Sequence, residues 1–227
     1  MKIGGYLPVS LCDYPGRVAA VIFTQGCNFR CPFCHNGHLL SDAPAADARS
    51  WDERDVLARL AERRSRLGGV AISGGEPTLQ ADLPAFIRSI RGLGLAVKLD
   101  TNGSQPRVLA GLLDKGLLDY VAMDIKAPWS HYARLTRVPR MAEAVRASVR
   151  ILTASGVAHE FRTTRVPALL SAADCAALAA QLPPGSPHKW QTFRPEHALD
   201  PALRHAAGAR PLEARRQALI ADDSVDK

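Results

Sequence analysis

Aromatic residues are scarce in this chain, and charge is not gathered into tracts. Only 6% of its 227 residues are Phe, Trp or Tyr. No basic tract is interleaved with aromatic side chains of the kind that stack on bases. The net charge of +7 comes mainly from arginines spread along helix faces, as in ERDVLARLAERRSRL (53–67). The sequence therefore predicts no nucleic-acid partner, and its basic surface suits solvation or an acidic protein partner.

Membrane-spanning and secretory signals are also missing from the sequence. The uncharged stretch 18–29 is shorter than the roughly 20 residues that a helix needs to cross a bilayer. The segment MKIGGYLPVSLCDYPGR (1–17) lacks an apolar core followed by a small-residue cleavage site. We therefore predict no membrane association and a cytoplasmic location, where thiols stay reduced and available to metal.

Apolar runs alternate with amphipathic segments along the chain. Six of these runs are short, apolar and bounded by turn-forming residues, a pattern that is typical of buried strands. They lie at 17–25, 69–73, 95–100, 119–125, 158–166 and 188–193. Helical spacing fills the intervals, and parallel neighbours in a sheet need such crossovers. The pattern predicts an α/β fold with a parallel sheet.

Several predicted helices carry boundary signals. Ser50 and Glu53 match a capping box for a helix that runs to about Leu67, where two glycines follow. Pro106 opens another helix that stops near a glycine. A later helix starts at Ser171 and breaks before a Pro-Pro-Gly turn. These signals divide the chain into repeated strand–helix units.

Polar and glycine-rich residues follow most of the predicted strands. Barrel enzymes collect their chemistry at the carboxyl ends of strands, so this distribution favours a barrel over a flat sheet. Six units instead of eight leave the barrel open on one side. The sequence predicts an open partial TIM-like (β/α)6 barrel with parallel strands over residues 1–200. Residues 201–227 are predicted to form a peripheral C-terminal helix and a frayed tail.

Three of the five cysteines, Cys27, Cys31 and Cys34, lie within eight residues. A closed structural zinc site takes four ligands, usually as two separated pairs, and the sequence has no second pair. His35 is a candidate fourth zinc ligand, but its position beside Cys34 strains that arrangement. A [4Fe–4S] cluster held by three thiolates fits better. One iron then lacks a protein ligand and can hold a substrate, as the open position of a catalytic zinc does.

Two short motifs connect this cluster to a known family. The C-x3-C-x2-C spacing, with Phe33 before the last cysteine, resembles the radical S-adenosylmethionine superfamily. SGGEP (73–77) is similar to the glycine-glycine-glutamate element of that superfamily. Its glycines allow close backbone approach, and its carboxylate suits an ammonium group.

Further segments resemble the glycyl-radical-enzyme activating subfamily. DTNG (100–103) and MDIK (123–126) match that subfamily. The segments closest to the short activating proteins of anaerobic ribonucleoside-triphosphate reductase are LCDYPGRVAAVIFTQGCNFRCPFCHN (11–36), EFRTTRVP (160–167) and WQTFRP (190–195). The resemblance covers roughly residues 4–200, and its family fold is an open barrel of six units.

The resemblance implies an enzyme that reductively cleaves S-adenosylmethionine at a [4Fe–4S] cluster bound by Cys27, Cys31 and Cys34. It implies that the resulting 5′-deoxyadenosyl radical generates a glycyl radical on a partner enzyme, here anaerobic ribonucleoside-triphosphate reductase. The resemblance further implies a one-electron donor, such as flavodoxin or ferredoxin, that reduces the cluster. The loop 127–140 is the candidate docking segment for the partner's glycine loop.

The resemblance also implies which residues contact the cofactor. Glu76 receives the amino group of S-adenosylmethionine, and Lys126 is placed for its carboxylate. Arg162 either faces the barrel mouth or forms an ion pair along its strand. The full predicted set is Phe33, His35, Gly74, Gly75, Glu76, Asn102, Asp124, Lys126, Arg162 and His197.

A monovalent cation is a further prediction of the resemblance. Asp100, Thr101 and Asp124 are its candidate ligands. Carboxylates gathered at one barrel mouth need a counter-charge, and such a cation would supply it.

Two other functions remain open from the sequence. One is a radical S-adenosylmethionine enzyme that acts on a small molecule, similar to 7-carboxy-7-deazaguanine synthase. The DTNG, MDIK and EFRTT segments argue against it. The other is a non-catalytic module that binds zinc at the cysteines. A zinc module is colourless, whereas an iron–sulfur protein is brown.

Overall fold

One mixed sheet organises the part of the chain that the computed structural model describes, residues 1–41 and 51–205. The sheet has seven strands in the order of the sequence. They are β1 (Ile3–Ser10), β2 (Ala19–Thr24), β3 (Gly69–Gly74), β4 (Ala96–Thr101), β5 (Tyr120–Asp124), β6 (Ala158–Arg165) and β7 (His188–Thr192). β1 pairs antiparallel with β2, and all other neighbours pair in parallel. β1 and β7 form the two edges, so the sheet does not close.

Helices connect the parallel strands, and a further helix follows the last strand. They are α1 (Glu53–Arg63), α2 (Leu83–Gly92), α3 (Pro106–Asp114), α4 (Tyr132–Thr136), α5 (Met141–Ala154), α6 (Ala172–Ala180) and α7 (Pro201–His205). Strand residues alternate between two faces. On the outer face, Ile22, Ile72 and Leu99 join helix residues such as Leu60 and Phe86 in a fully buried core. The predicted α/β partial barrel is confirmed.

All six predicted strands are present, but the sequence interpretation missed β1. This strand contains Gly4, Gly5 and Pro8, which are residues with low strand propensity. Its pairing with β2 is irregular, because the register shifts between Leu7 and Ser10. Proline is tolerated at such irregular positions on an edge strand. β1 is therefore stabilised as a strand by its pairing with β2 and not by its own strand propensity.

The predicted capping box of the first helix was wrong. Ser50 lies outside the described residues, and the N-cap of α1 is Asp52, whose carboxylate accepts a hydrogen bond from the Arg54 amide at 2.7 Å. The helix also ends at Arg63 instead of Leu67. The chain must turn earlier because the Gly68 amide donates to the Val18 carbonyl oxygen at 2.8 Å, where β3 joins β2. The predicted start at Ser171 is confirmed by a complete capping box with Asp174.

Two further predictions concern the ends of the molecule and its loops. The tail begins with α7, in which Leu203 is buried, whereas residues 206–227 lie outside the described residues. The predicted docking segment 127–140 contains a short 3-10 turn and α4. Within residues 1–41 and 51–205, no helix is both long enough and apolar enough to cross a bilayer.

The inner face of the sheet becomes polar toward its carboxyl edge. Lys98 and Asp100 are two residues apart on β4 and therefore share a face. The parallel register pairs Asp124 on β5 with Arg162 on β6, and it pairs Asp100 with Ala122. These four charged side chains consequently emerge on one face of three adjacent strands. The fold thereby places its chemistry at the carboxyl edge.

Candidate active site

A cavity of about 930 Å³ opens at the carboxyl edge of the sheet. It brings together every residue that the sequence analysis predicted to bind the cluster, the cofactor or the cation. Its lining includes Cys27, Cys31, Phe33, Cys34, His35, Gly74, Gly75, Glu76, Asp100, Thr101, Asn102, Asp124, Lys126, Arg162 and His197. The predicted convergence at one barrel mouth is therefore what the structure shows, while the individual roles remain predictions.

The cysteine loop follows β2 and is fastened at its base and at its far side. The Gly26 amide donates to the Leu39 carbonyl oxygen at 2.8 Å, which closes the loop at its base. The Arg30 amide donates to the Thr136 carbonyl oxygen at 2.9 Å, which ties the loop to α4. These backbone contacts fix the loop in place independently of its side chains.

The three thiols are free, and their donor set fits an iron–sulfur cluster. Cys31 is buried, and Cys27 and Cys34 are half-buried. The Phe29 amide donates to the Cys27 sulfur at 3.4 Å, an interaction that favours a thiolate. Burial raises the pKa of Cys27 to about 11 and that of Cys31 to about 12. Metal binding must therefore displace the thiol protons, as it does at thiolate sites generally.

The two glycines of the SGGE turn are required by close backbone packing. Gly74 has a φ of +111°, and a Cβ atom there would lie 2.3 Å from the Thr24 amide nitrogen. A Cβ atom on Gly75 would lie 2.0 Å from the Gly26 carbonyl oxygen. The Glu76 amide donates to that same oxygen at 2.8 Å. The turn after β3 thus presses directly against the start of the cysteine loop.

Glu76 is fully buried, and protein donors surround its carboxylate. Oε1 accepts from the Thr78 amide at 3.1 Å, from the Thr78 hydroxyl, and from the Thr101 hydroxyl at 2.7 Å. Oε2 accepts from the Asn102 amide at 2.6 Å. Burial raises the pKa of Glu76, although these hydrogen bonds oppose the shift. The carboxylate links the ends of β3 and β4, a role that the sequence interpretation missed. Its predicted contact with an ammonium group stays a prediction.

Asn102 connects the DTNG turn to the cysteine loop. Its Nδ2 donates to Asn28 Oδ1 at 3.0 Å and lies 3.9 Å from the Cys27 sulfur. Its Oδ1 accepts from the Ser104 amide at 2.9 Å. Asn102 is therefore held by both segments at the cavity floor.

An alternating chain of ion pairs crosses three strands of the cavity wall. It runs from Lys98 through Asp100, Arg162 and Asp124 to Lys126. Arg162 donates from Nη1 to Asp100 at 3.1 Å and from Nε to Asp124 at 2.9 Å. Of the two sequence alternatives for Arg162, the structure shows the one that faces the mouth. The sequence analysis did not name Lys98 as a site residue. The signal that could have identified it is its spacing of two residues from Asp100, which places both side chains on one face of β4.

We expect Asp124 to contribute stability that acid removes. Burial by itself raises the pKa of Asp124, but Arg162 and Lys126 outweigh it and hold the pKa at about 2, below the ordinary 3.8. The carboxylate therefore stabilises the fold above pH 3.8, and this contribution is lost as the pH falls through the folded-state value. In urea unfolding of the apoprotein, the wild type should lose about 2 kcal/mol more than Asp124→Asn between about pH 5 and pH 2.

A matched control for this experiment is Asp114→Asn. Asp114 is exposed at the end of α3, so this variant should follow the wild-type pH dependence. An Asp124→Asn variant with an unchanged pH dependence would contradict the ion-pair account.

His35 and His197 meet at the end of β7. The His35 ring stacks on Phe193 with centroids 5.8 Å apart, and its Nε2 accepts from the Arg194 amide at 3.3 Å. His197 approaches edge-on at 6.4 Å. Burial, together with the neighbouring His197, lowers the pKa of His35. The residue after the last cysteine thus ties the loop to the far edge of the sheet, and the sequence interpretation missed Phe193 and Arg194 as its partners.

The fold and cavity define a partial-barrel enzyme with a three-thiol site for an iron–sulfur cofactor. The family model described as the Radical SAM superfamily matches residues 21–170. The chain belongs to this superfamily, and its cofactors are a [4Fe–4S] cluster and S-adenosylmethionine. This membership confirms the resemblance read from the sequence and replaces the hypothesis of a non-catalytic zinc module.

Two curated relatives place the chain near activating enzymes. It is 30% identical over 229 residues to a Methanocaldococcus jannaschii protein named provisionally as a glycyl-radical enzyme activating enzyme, covering 99% of this chain and 93% of the relative. It is 33% identical over 122 residues to the pyruvate formate-lyase-activating enzyme of Streptococcus mutans, covering 50% and 46% of the two chains.

Solved structures show the same fold at low sequence identity. Streptococcus suis SuiB bound to its precursor peptide SuiA has a TM-score of 0.57 at 13% identity, over 87% of this chain and 46% of SuiB. QueE from Escherichia coli has a TM-score of 0.52 at 17% identity, over 84% and 83% of the two chains. At these identities the likeness concerns the fold alone.

Proposed function

We propose that this enzyme activates a glycyl-radical enzyme, and that the partner is anaerobic ribonucleoside-triphosphate reductase. The observation that carries the proposal is the similarity to an activating enzyme along 99% of the chain. The reductase as partner rests on the sequence segments 11–36, 160–167 and 190–195. A flavodoxin or ferredoxin is the proposed electron donor.

The three cysteines are the proposed ligands of the cluster. The half-buried thiols of Cys27 and Cys34 and the buried thiol of Cys31 border the cavity that receives S-adenosylmethionine. When bound, the reduced cluster and S-adenosylmethionine supply one-electron cleavage of a carbon–sulfur bond and a radical that abstracts hydrogen. The buried rings of Phe29 and Phe33 exclude water from this side of the cavity.

Charged and polar side chains would orient the cofactor. Lys126 gives one hydrogen bond to Asp124, at 2.9 Å. An ammonium group has three donors, so Lys126 retains capacity for the carboxylate of S-adenosylmethionine. Gly75 and Glu76 would receive its amino group. The other proposed contacts are Phe33, His35, Gly74, Asn102, Asp124, Arg162 and His197.

The exposed edge of the barrel suits a polypeptide substrate. β7 is an edge strand, and its residues 189–192 are exposed. Gln191 and Thr192 at the end of this strand also line the cavity. A glycine-containing loop of a partner can therefore approach along β7, with the segment 127–140 as a candidate docking surface.

The direct test is transfer of hydrogen from the partner's glycine. The reconstituted enzyme, a one-electron reductant, S-adenosylmethionine and the reductase are combined without oxygen, once with unlabelled reductase and once with reductase labelled with α,α-dideuterated glycine. With unlabelled reductase we expect a glycyl doublet in electron paramagnetic resonance. With the labelled reductase we expect the doublet to collapse, because deuterium replaces the α-hydrogen that splits the signal, and we expect one deuterium in the released 5′-deoxyadenosine. Replacing the partner's radical-bearing glycine with alanine should remove both signals.

Two outcomes would contradict the proposal. A doublet on pyruvate formate-lyase but not on the reductase would overturn the choice of partner. Cleavage of S-adenosylmethionine without a doublet or deuterium transfer from any glycyl-radical protein of the source organism would overturn the activase function and favour a small-molecule substrate.

A further inference from the structure

The side chains predicted to hold a monovalent cation are already engaged by the protein. Asp100 Oδ1 pairs with Lys98 Nζ, and Asp100 Oδ2 pairs with Arg162 at 3.1 Å. Asp124 Oδ1 pairs with Arg162 and Oδ2 with Lys126, each at 2.9 Å. The Thr101 hydroxyl donates to Glu76 at 2.7 Å. Every carboxylate oxygen of the predicted cation site thus has a cationic partner within the described chain.

Lys98 is the unusual member of this set because its side chain is only 2% exposed. A buried ammonium without a counter-ion is strongly disfavoured, so its carboxylate partner is essential to its charge. Asp100 lies two residues along the same strand and is itself only 12% exposed. The pair is therefore built into β4 and does not depend on contacts between flexible surface side chains.

The local charge balance leaves little attraction for an added ion. Within the chain of ion pairs, Asp100 and Asp124 carry two negative charges, whereas Lys98, Arg162 and Lys126 carry three positive charges. A further monovalent cation would increase this positive excess in a partly desolvated site, where repulsion between like charges is weakly screened. To reach Asp100 Oδ1, the ion would also have to displace an ammonium that the chain itself holds at a high effective concentration.

We propose that the Lys98 ammonium takes the place of the monovalent cation beside Asp100, so that the enzyme binds S-adenosylmethionine without sodium or potassium. In this role Lys98 is a positioning residue. It holds Asp100, and Asp100 with Asp124 holds the guanidinium of Arg162 in the cavity wall. The inference rests on the cofactor of the superfamily and is independent of the partner's identity.

The wild-type enzyme provides the first test. Affinity for S-adenosylmethionine is measured by calorimetry on the cluster-loaded protein in sodium chloride, potassium chloride and N-methyl-D-glucamine chloride at equal ionic strength. We expect dissociation constants that agree within about twofold, a difference of about 0.4 kcal/mol. A saturable dependence on sodium or potassium that exceeds this range would overturn the proposal.

The Lys98→Met variant provides the second test, since methionine keeps an unbranched side chain and removes the charge. In N-methyl-D-glucamine chloride its affinity should fall by about tenfold, because Asp100 loses its ammonium partner. Sodium or potassium should restore both the affinity and the melting temperature, since a free cation can then occupy the same position. A purely structural role for Lys98 would give a loss that neither ion restores, and that result would overturn the proposal.

Lys189→Met is the matched control. Lys189 also pairs with a carboxylate on a neighbouring strand, Glu160 at 2.6 Å, but its side chain is 60% exposed. This substitution should create no dependence on sodium or potassium. Two outcomes for Lys98→Met would contradict the exchange of the ammonium for a free ion. One is that the variant binds S-adenosylmethionine with wild-type affinity in all three salts. The other is that the variant folds in none of the three salts. Neither readout involves a glycyl-radical partner, so a wrong partner leaves this test intact.

Discussion

Replacing Cys31 with serine is expected to prevent assembly of the [4Fe–4S] cluster and to abolish cleavage of S-adenosylmethionine. Cys31 is 5% exposed, and its carbonyl oxygen accepts from the Cys34 amide at 3.0 Å, so the loop geometry should survive the substitution. A serine oxygen is a hard ligand that matches iron–sulfur chemistry poorly. We expect loss of the brown colour and a cleavage rate lower by roughly 1,000-fold or more, equivalent to about 4 kcal/mol of barrier.

The other cysteines supply controls for this prediction. Cys12 is exposed, and Cys175 lies half-buried on α6. Neither residue lines the cavity, so Cys12→Ser and Cys175→Ser should keep the iron content and the cleavage rate of the wild type. Full iron content and full activity in Cys31→Ser would remove the premise of the proposed mechanism.

Replacing Gly75 with alanine should disrupt the site without removing any ligand atom. The new Cβ would lie 2.0 Å from the carbonyl oxygen and 2.7 Å from the carbonyl carbon of Gly26. Both are backbone atoms, so no side-chain rotation can relieve the clash. The end of β3 or the cysteine loop must shift, at a cost of about 3 kcal/mol. Urea unfolding of the apoprotein measures this loss, and calorimetry on the reconstituted protein should show weaker S-adenosylmethionine binding.

Gly111→Ala is a matched control that should raise the free energy of unfolding instead of lowering it. Gly111 lies in α3, and a Cβ atom built there meets no atom within 4 Å. Alanine should therefore stabilise the helix by about 0.5–1 kcal/mol. If Gly75→Ala unfolded at the same urea concentration as the wild type, the turn after β3 could not be packed against the cysteine loop as described.

Much of the fold was predictable because its signals are local. β2 to β7 are short apolar runs between turns, and periodicity locates such runs without knowledge of their neighbours. β1 escaped this reasoning because Gly4, Gly5 and Pro8 weaken its pattern. The N-cap of α1 was wrong because two nearby polar residues, Ser50 and Asp52, both precede the helix. Local signals rank such alternatives poorly.

The features of the candidate site also fall into two groups: those that local sequence signals predicted, and those that depend on contacts between distant parts of the chain. The spacing of Cys27, Cys31 and Cys34 indicated the cluster because all three lie in one loop. The sequence placed Glu76 near the cofactor, but it gave no sign of the hydrogen bonds from Thr101 and Asn102. Those bonds join residues 25 and 26 positions apart, and they exist only because β3 and β4 are neighbours in the sheet.

The sequence by itself determined the strand–helix alternation, the three-thiol loop and the glycines of the turn after β3. Each of these depends on residues that are close together in the chain. Only the tertiary structure decided that Arg162 reaches both Asp100 and Asp124, and that Lys98 neutralises Asp100 within the barrel. The physical reason is strand register: side chains alternate between faces, so a shift of one residue in β6 would turn Arg162 away from both carboxylates, and the same shift in β4 would turn Lys98 and Asp100 together out of the barrel.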